Sequence, residues 1–178
     1  MNVRKKYYII ILLVAIFVAI PAVSDYINSG YCKPNDILLQ DNDRIEVNLS
    51  EHIDGDTSRF IINEKETVCR YLAIDCPETV HPYKKIQEYG TEASSFTKDR
   101  LLNAHRIQIE YEYESSKVDK YDRDLVWVFV DGELLQEQLL RSGLAKIAYA
   151  KSQYKYMSRL EEAENYAKNH QLGIWGNN

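Results

Sequence analysis

Three short stretches carry residue types that could do chemistry together. Asp54-Gly55-Asp56-Thr57 sets carboxylates around a preferred turn pair. Arg70 puts a cation inside an apolar alternation shared with Val68, Leu72 and Ile74. Asp75-Cys76-Pro77-Glu78-Thr79 spaces two carboxylates at i and i+3 in a segment that Pro77 keeps extended. Taken singly, each has a plain reading: a hairpin turn, a snorkelling arginine in a surface salt bridge, and a polar loop. Taken together they suggest a site, because Asp56 and Asp75 end strands of one meander, and adjacent pairing would bring their side chains together. Two carboxylates plus a backbone carbonyl form an oxygen-only, partial shell suited to a hard cation such as Ca²⁺, with water and a substrate phosphate filling the rest. Glu78, one proline beyond the ligands, could orient and deprotonate an attacking water, while Arg70 would grip the phosphate. A second guanidinium is available in Lys120-Tyr121-Asp122-Arg123. Two planar forks match phosphate oxygens and would stabilise five-coordinate phosphorus, although a surface ion pair is the simpler account of Arg123.

Positioning these residues requires a curled sheet. Ile45, Val47 and Leu49 alternate with polar neighbours, Arg59 to Ile62 resumes the pattern, and Val68 to Ile74 forms a third strand-like run, with turns at Asp54-Gly55 and Asn63-Glu64. Gly90 to Ala104 repeats Ala93, Phe96, Arg100 with Leu101, and Ala104 at helical spacing. Ile107 to Tyr113 and Leu125 to Val130 make a long hairpin around a polar loop, Glu114 to Asp124, which carries Arg123. Leu134 to Arg141 predicts a short helix stopped by Gly143, Leu144 to Tyr149 an extended run, and Tyr156 to His170 a third helix closed near Gly173. The order suits an α+β domain over 43–178: a small five-stranded, partly open barrel of the oligonucleotide/oligosaccharide-binding kind, with three α-helices.

Composition bounds the function. The 178 residues are 45% apolar, enough for a single core, and too rich in large apolar side chains for a disordered chain. Three cysteines without C-x-x-C spacing indicate neither a disulfide scaffold nor a zinc site. Setting aside Arg4, Lys5 and Lys6 leaves 19 basic against 27 acidic side chains, or −8 from Asp25 onward, which argues against charge-driven coating of nucleic acid. Those three bases precede an apolar run from Tyr7 to Val23, the layout of an export signal. Residues 1–24 are therefore expected to be a cleaved signal peptide or an uncleaved membrane anchor, and 25–42 a linker. Either way the rest of the chain is expected outside the cytoplasmic membrane.

The motifs Ile53-Asp54-Gly55-Asp56-Thr57, Arg70 to Thr79, Tyr89-Gly90-Thr91-Glu92-Ala93, Asp119 to Arg123, Gly143-Leu144-Ala145-Lys146 and Gly173-Ile174-Trp175 occur in an order that strongly resembles the staphylococcal nuclease (thermonuclease) family, from about Asp43 to Trp175. The resemblance implies a five-stranded barrel with three helices and Ca²⁺-dependent hydrolysis of DNA and RNA at the 5′-oxygen side of the phosphodiester, leaving 3′-phosphates. It assigns Asp56, Asp75 and the Cys76 carbonyl to the metal, Glu78 to water activation, and Arg70 and Arg123 to the phosphate; Lys120, Tyr121 and Tyr149 would contact substrate. DNA and RNA are the expected partners, single-stranded or unpaired regions favoured, for a monomer that meets a membrane only through an uncleaved N-terminal segment. The family usually has Thr at the position of Cys76 and Gly at that of Asp122, so an added charge and a lost backbone freedom could lower activity. The rival reading is a catalytically silent module of the same fold that binds nucleic acid or protein.

Overall fold

A computed structural model describes residues 43–79 and 87–176, which fall within one compact unit, Asp43–Asn178. The expected export segment and linker lie outside the described residues. Among those described, no helix is long and apolar enough to cross a membrane.

Strand β1 (Ile45–Asp54) pairs antiparallel with β2 (Thr57–Ile62), which pairs with β3 (Lys65–Tyr71). Two register shifts along β1, at Leu49/Glu51 and His52/Asp54, add the local twist that a tightly curled sheet needs. On its other edge β1 meets β5 (Ile107–Tyr111), which forms the long hairpin with β6 (Asp124–Val130). The barrel then shuts: Cys69, Arg70 and Tyr71 of β3 pair in parallel with Asp124, Leu125 and Val126 of β6. Five strands therefore make a closed barrel, where the residue pattern suggested a partly open one. Parallel closure joins segments far apart in sequence, and alternation along one strand carries no sign of it.

Val68 to Ile74 is not one strand. Ala73 takes a left-handed backbone (φ 64°), which ends β3 and redirects the chain into β4 (Ile74–Asp75). β4 pairs not with the meander but with β8 (Lys146–Ile147), as a separate two-stranded sheet. A short β7 (Glu133–Leu134) extends β6 before α2 (Leu135–Arg141). Between its pairings with β3 and β7, the β6 backbone is completed by the buried side chain of Gln136, which donates to Val126 O (2.9 Å) and accepts from Val128 N (3.2 Å). That leaves no orphaned amide in the middle of a buried strand.

Helix α1 (Gly90–Leu102) buries Ala93 and Leu101 of the expected stripe, with Phe96 partly buried against the core, and adds Thr97, which the stripe did not include. Helix α3 (Met157–Asn169) buries Met157, Leu160, Ala163 and Ala167, and a short 3-10 helix follows at Gly173–Trp175. Trp127 is fully buried and meets Tyr156 edge to face at 5.3 Å, locking β6 to the segment entering α3. Gly143 and Gly173 are needed where they stand: a Cβ on Gly143 would come within 2.1 Å of Leu172 O, and one on Gly173 within 2.1 Å of Gly143 O. Their contact, with Ile174 N donating to Gly143 O at 2.9 Å, ties the chain's end to the loop that leads into β8.

Candidate active site

Asp56 sits in the two-residue connection between β1 and β2, and Asp75 ends β4. Their strands are not neighbours, contrary to the pairing expected from the sequence. The side chains still converge, through Arg70 one strand away. Its Nη1 lies 3.0 Å from Asp56 Oδ2 and its Nη2 3.1 Å from Asp75 Oδ1, while Nη1 also donates to Tyr71 O at 3.1 Å. Thr57 faces Arg70 across the β2–β3 ladder, so strand register itself carries the guanidinium to the carboxylates. With its side chain only 12% exposed, Arg70 is no snorkelling surface residue.

Asp56 is 7% exposed and receives Cys76 N at 2.8 Å and Thr57 Oγ1 at 3.1 Å in addition to Arg70. Burial nevertheless pushes its carboxyl up to about 7; Arg70 is the largest influence in the opposite direction, and Asp54 adds to the rise. A carboxyl that resists ionisation beside a guanidinium is one that further positive charge would ionise. The donors nearby are hard: the Asp56 and Asp75 carboxylates and the Cys76 carbonyl. The Cys76 thiol is not a competing soft ligand, because burial, and then Asp56, hold it protonated well above the usual thiol range. These residues fit a hard divalent cation held by a partial shell. Among the described residues no three His, Cys, Asp or Glu side chains form a complete cage, and an ion shared with water and substrate needs none.

The cradle is held from behind. Buried Thr97 of α1 donates to Gly55 O at 2.7 Å, and Asp54 Oδ1 accepts from Asp56 N at 3.1 Å. Gly55 leaves room for Cys76, whose Cβ would lie 2.9 Å from a Cβ added there. Cys69 and Cys76 are both free thiols, and Cys32 lies outside the described residues.

All nine candidate residues line one cavity of about 490 Å³: Asp56, Arg70, Asp75, Cys76 and Glu78 from the first strands and the turns beside them, and Lys120, Tyr121, Arg123 and Tyr149 from later loops. Glu78 is partly exposed, its backbone N–H held by Gln87 Oε1 at 2.9 Å. Arg123 is clamped by Asp119, with Nε at 2.8 Å and Nη2 at 2.7 Å from Oδ2. Asp119 Oδ1 also accepts the N–H groups of Tyr121 and Arg123. Burial works to raise the Asp119 carboxyl, but these hydrogen bonds and the Arg123 charge outweigh it and hold it below the usual carboxylate range. The surface ion pair of Arg123 thus exists, and it orients the arginine.

The residue pattern assigns no role to Asp119, Tyr154 or Thr97, although the first two line the cavity and Thr97 braces its floor. The i,i+4 spacing of Asp119 and Arg123 was the available signal for the first. Two non-glycine lining residues adopt left-handed backbone, Ala73 (φ 64°) and Tyr149 (φ 55°), and so does Asp122 (φ 63°), which does not line the cavity but sits in the arm that bears Arg123. The last corrects an expectation: aspartate in place of glycine has not removed the left-handed turn, which Asp adopts more readily than most residues.

A family model described as staphylococcal nuclease homologue matches residues 68–177. The chain is 41% identical over 132 residues to endonuclease YncB of Bacillus subtilis (strain 168), covering 74% of this chain and 62% of that protein. It is 39% identical over 135 residues to the SPbeta prophage-derived endonuclease YokF of the same organism, covering 75% and 45%. With the thermonuclease of Staphylococcus hyicus it shares 38% identity over 125 residues, covering 70% and 72%. It thus spans less than two thirds of the length of the two Bacillus relatives. The matches agree with the closed barrel and its three helices: the chain belongs to the staphylococcal nuclease family.

Proposed function

We propose that this protein is a calcium-dependent nuclease that hydrolyses phosphodiester bonds of DNA and RNA at the 5′-oxygen side, leaving 3′-phosphates. The observation that carries the reading is the Arg70 guanidinium within 3.1 Å of both Asp56 and Asp75, in a cavity also lined by Glu78 and Arg123. Family membership and the names of the relatives, endonucleases and a thermonuclease, support it. Asp56, Asp75 and the Cys76 carbonyl would hold the cation, which when bound would supply positive charge to polarise the diester. Glu78 takes a proton from the attacking water, whose oxygen bonds to phosphorus as the bond to O5′ breaks, and the departing O5′ takes a proton from solvent water while Glu78 later returns its own to solvent. Arg70 and Arg123 donate paired N–H groups to the phosphoryl oxygens, where negative charge grows in the transition state. Lys120, Tyr121 and Tyr149 hold the flanking nucleotide, and single-stranded substrate, whose bases are free to stack, is favoured.

The enzyme acts outside the cytoplasmic membrane, released or anchored, on the strength of the basic, then apolar N-terminal stretch. A mature chain starting at Asp25 in culture medium would establish release. The activity is tested by incubating the full chain with single-stranded DNA in Ca²⁺ and in chelator, beside Glu78→Gln. Cleavage giving 3′-phosphate ends is expected in Ca²⁺ only, with Glu78→Gln slower by about 10²- to 10⁴-fold. Chelator-insensitive or variant-indifferent cleavage would overturn the assignment, and binding without turnover in every condition would make the chain a silent relative.

A further inference from the structure

Large apolar side chains left in water are unremarkable when scattered, and informative when they gather beside charges of one kind. Among the described residues, Tyr149 (85% exposed), Tyr113 (81%) and Tyr121 (67%) are the most exposed large apolar side chains of the molecule. Tyr121 and Tyr149 line the cavity; Tyr113 does not, and it makes no hydrogen bond, ring contact or ion pair among the described residues. It stands at the root of the arm that carries Lys120, Tyr121 and Arg123, two residues before Ser115, which does line the cavity.

The arm is fastened to the Tyr149 segment at this point. Lys151, two residues after Tyr149, donates from Nζ to Glu114 O at 2.7 Å, which sets an exposed ammonium beside the peptide that follows Glu114, the neighbour of Tyr113. Two of its three donors stay open to a further partner. Lys117, also exposed, sits over the Tyr111 ring at 4.6 Å. Aromatic faces interleaved with ammonium groups suit a single strand, whose bases stack on rings while its backbone tracks the charges. Glu114 and Asp122 on the same arm offset part of that positive charge, so stacking rather than phosphate contact supplies most of the hold.

We propose that Tyr113 is a stacking platform for a base of single-stranded nucleic acid beyond the nucleotide held at Tyr121 and Tyr149, with the Lys151 ammonium on the phosphate between. The site makes the protein prefer longer single strands to the shortest substrates. This rests on the nucleic-acid reading of the cavity.

The test measures binding of fluorescently labelled oligothymidylates of two and of eight nucleotides in Ca²⁺, with the full chain carrying Glu78→Gln so that the probe survives. Tyr113→Ala and Tyr113→Phe are compared in that background. Tyr113→Ala is expected to weaken the eight-nucleotide probe about tenfold and leave the two-nucleotide probe unchanged, while Tyr113→Phe, which keeps the ring, binds both as the parent does. Unchanged binding of the longer probe by Tyr113→Ala, or equal weakening of both probes, overturns the platform alone. If the parent binds neither probe, the nucleic-acid reading fails and the platform with it.

Discussion

The two sets of side chains that line the cavity are held by different means. In the carboxylate set, Arg70 and Asp56 are almost fully buried and held by strand register, a backbone amide and a brace from α1, while Asp75 and Glu78 are partly exposed. In the other set, Lys120, Tyr121 and Tyr149 stand in water on loops, and only Arg123 is fixed, by a single aspartate. The difference separates tasks. A group that meets charge developing in a transition state gains from being immobile before the reaction, because it need not reorganise. A group that grips a flexible strand loses little by moving.

The comparison breaks first on Arg70. Arg70→Ala is expected to lower kcat by about 10²- to 10³-fold, with Arg70→Lys recovering little, because one ammonium cannot span two carboxylates or fork a phosphate. Tyr149→Ala, by contrast, should raise KM about tenfold and leave kcat within a few-fold. Steady-state kinetics on one oligonucleotide, with circular dichroism to confirm that each variant is folded, separates the two. A kcat loss at Tyr149 as large as that at Arg70 would abolish the division of labour.

The sequence held more of the carboxylate set than of the frame that builds it. Asp56, Arg70, Asp75 and Glu78 were legible not singly, since a turn, a surface arginine or a polar loop explains each, but in combination and in their family-like order. The break at Ala73 was hidden, since alanine gives no hint of a left-handed backbone, and the strand pair that holds Asp75 was hidden with it. Thr97 is hidden too, because a threonine on a helix reads as polar surface, and only the fold shows it reaching Gly55 O. Among the exposed side chains, Lys120, Tyr121 and Tyr149 follow only from the family resemblance, and Asp119, which orients Arg123, looks in sequence like one more acid of a polar loop.

Burial also makes the first set sensitive to pH in a way the second is not. The Asp56 carboxyl, raised in the fold from 3.8 to about 7, lends stability that is complete below about pH 4 and lost as pH rises through 7. His52 works in the opposite sense: burial lowers its pKa, so its stability is present above 6.5 and lost below. Comparison with Asp56→Asn removes that background, which both proteins share. Thermal melts in chelator between pH 4 and 8 should show the parent losing stability with rising pH relative to Asp56→Asn. Ca²⁺ should reverse the loss in the parent, most strongly at the upper end. Parallel curves for the two proteins would mean that Asp56 is ionised throughout.

The smallest effect is expected at Asp122, where the arm bearing Arg123 departs from its family and two causes can be told apart. A left-handed backbone costs an ordinary residue about 1–2 kcal/mol, aspartate less, and glycine gives back part of any gain through its looser unfolded chain. Asp122→Gly should therefore change stability by under about 1 kcal/mol. Its larger consequence is electrostatic, since the carboxylate beside Arg123 repels phosphate. Asp122→Asn removes that charge and keeps a residue that tolerates φ 63°. If both variants bind oligonucleotide a few-fold more tightly than the parent, charge is what the substitution for glycine changed; if Asp122→Gly alone does so, the freedom of the arm is what was lost.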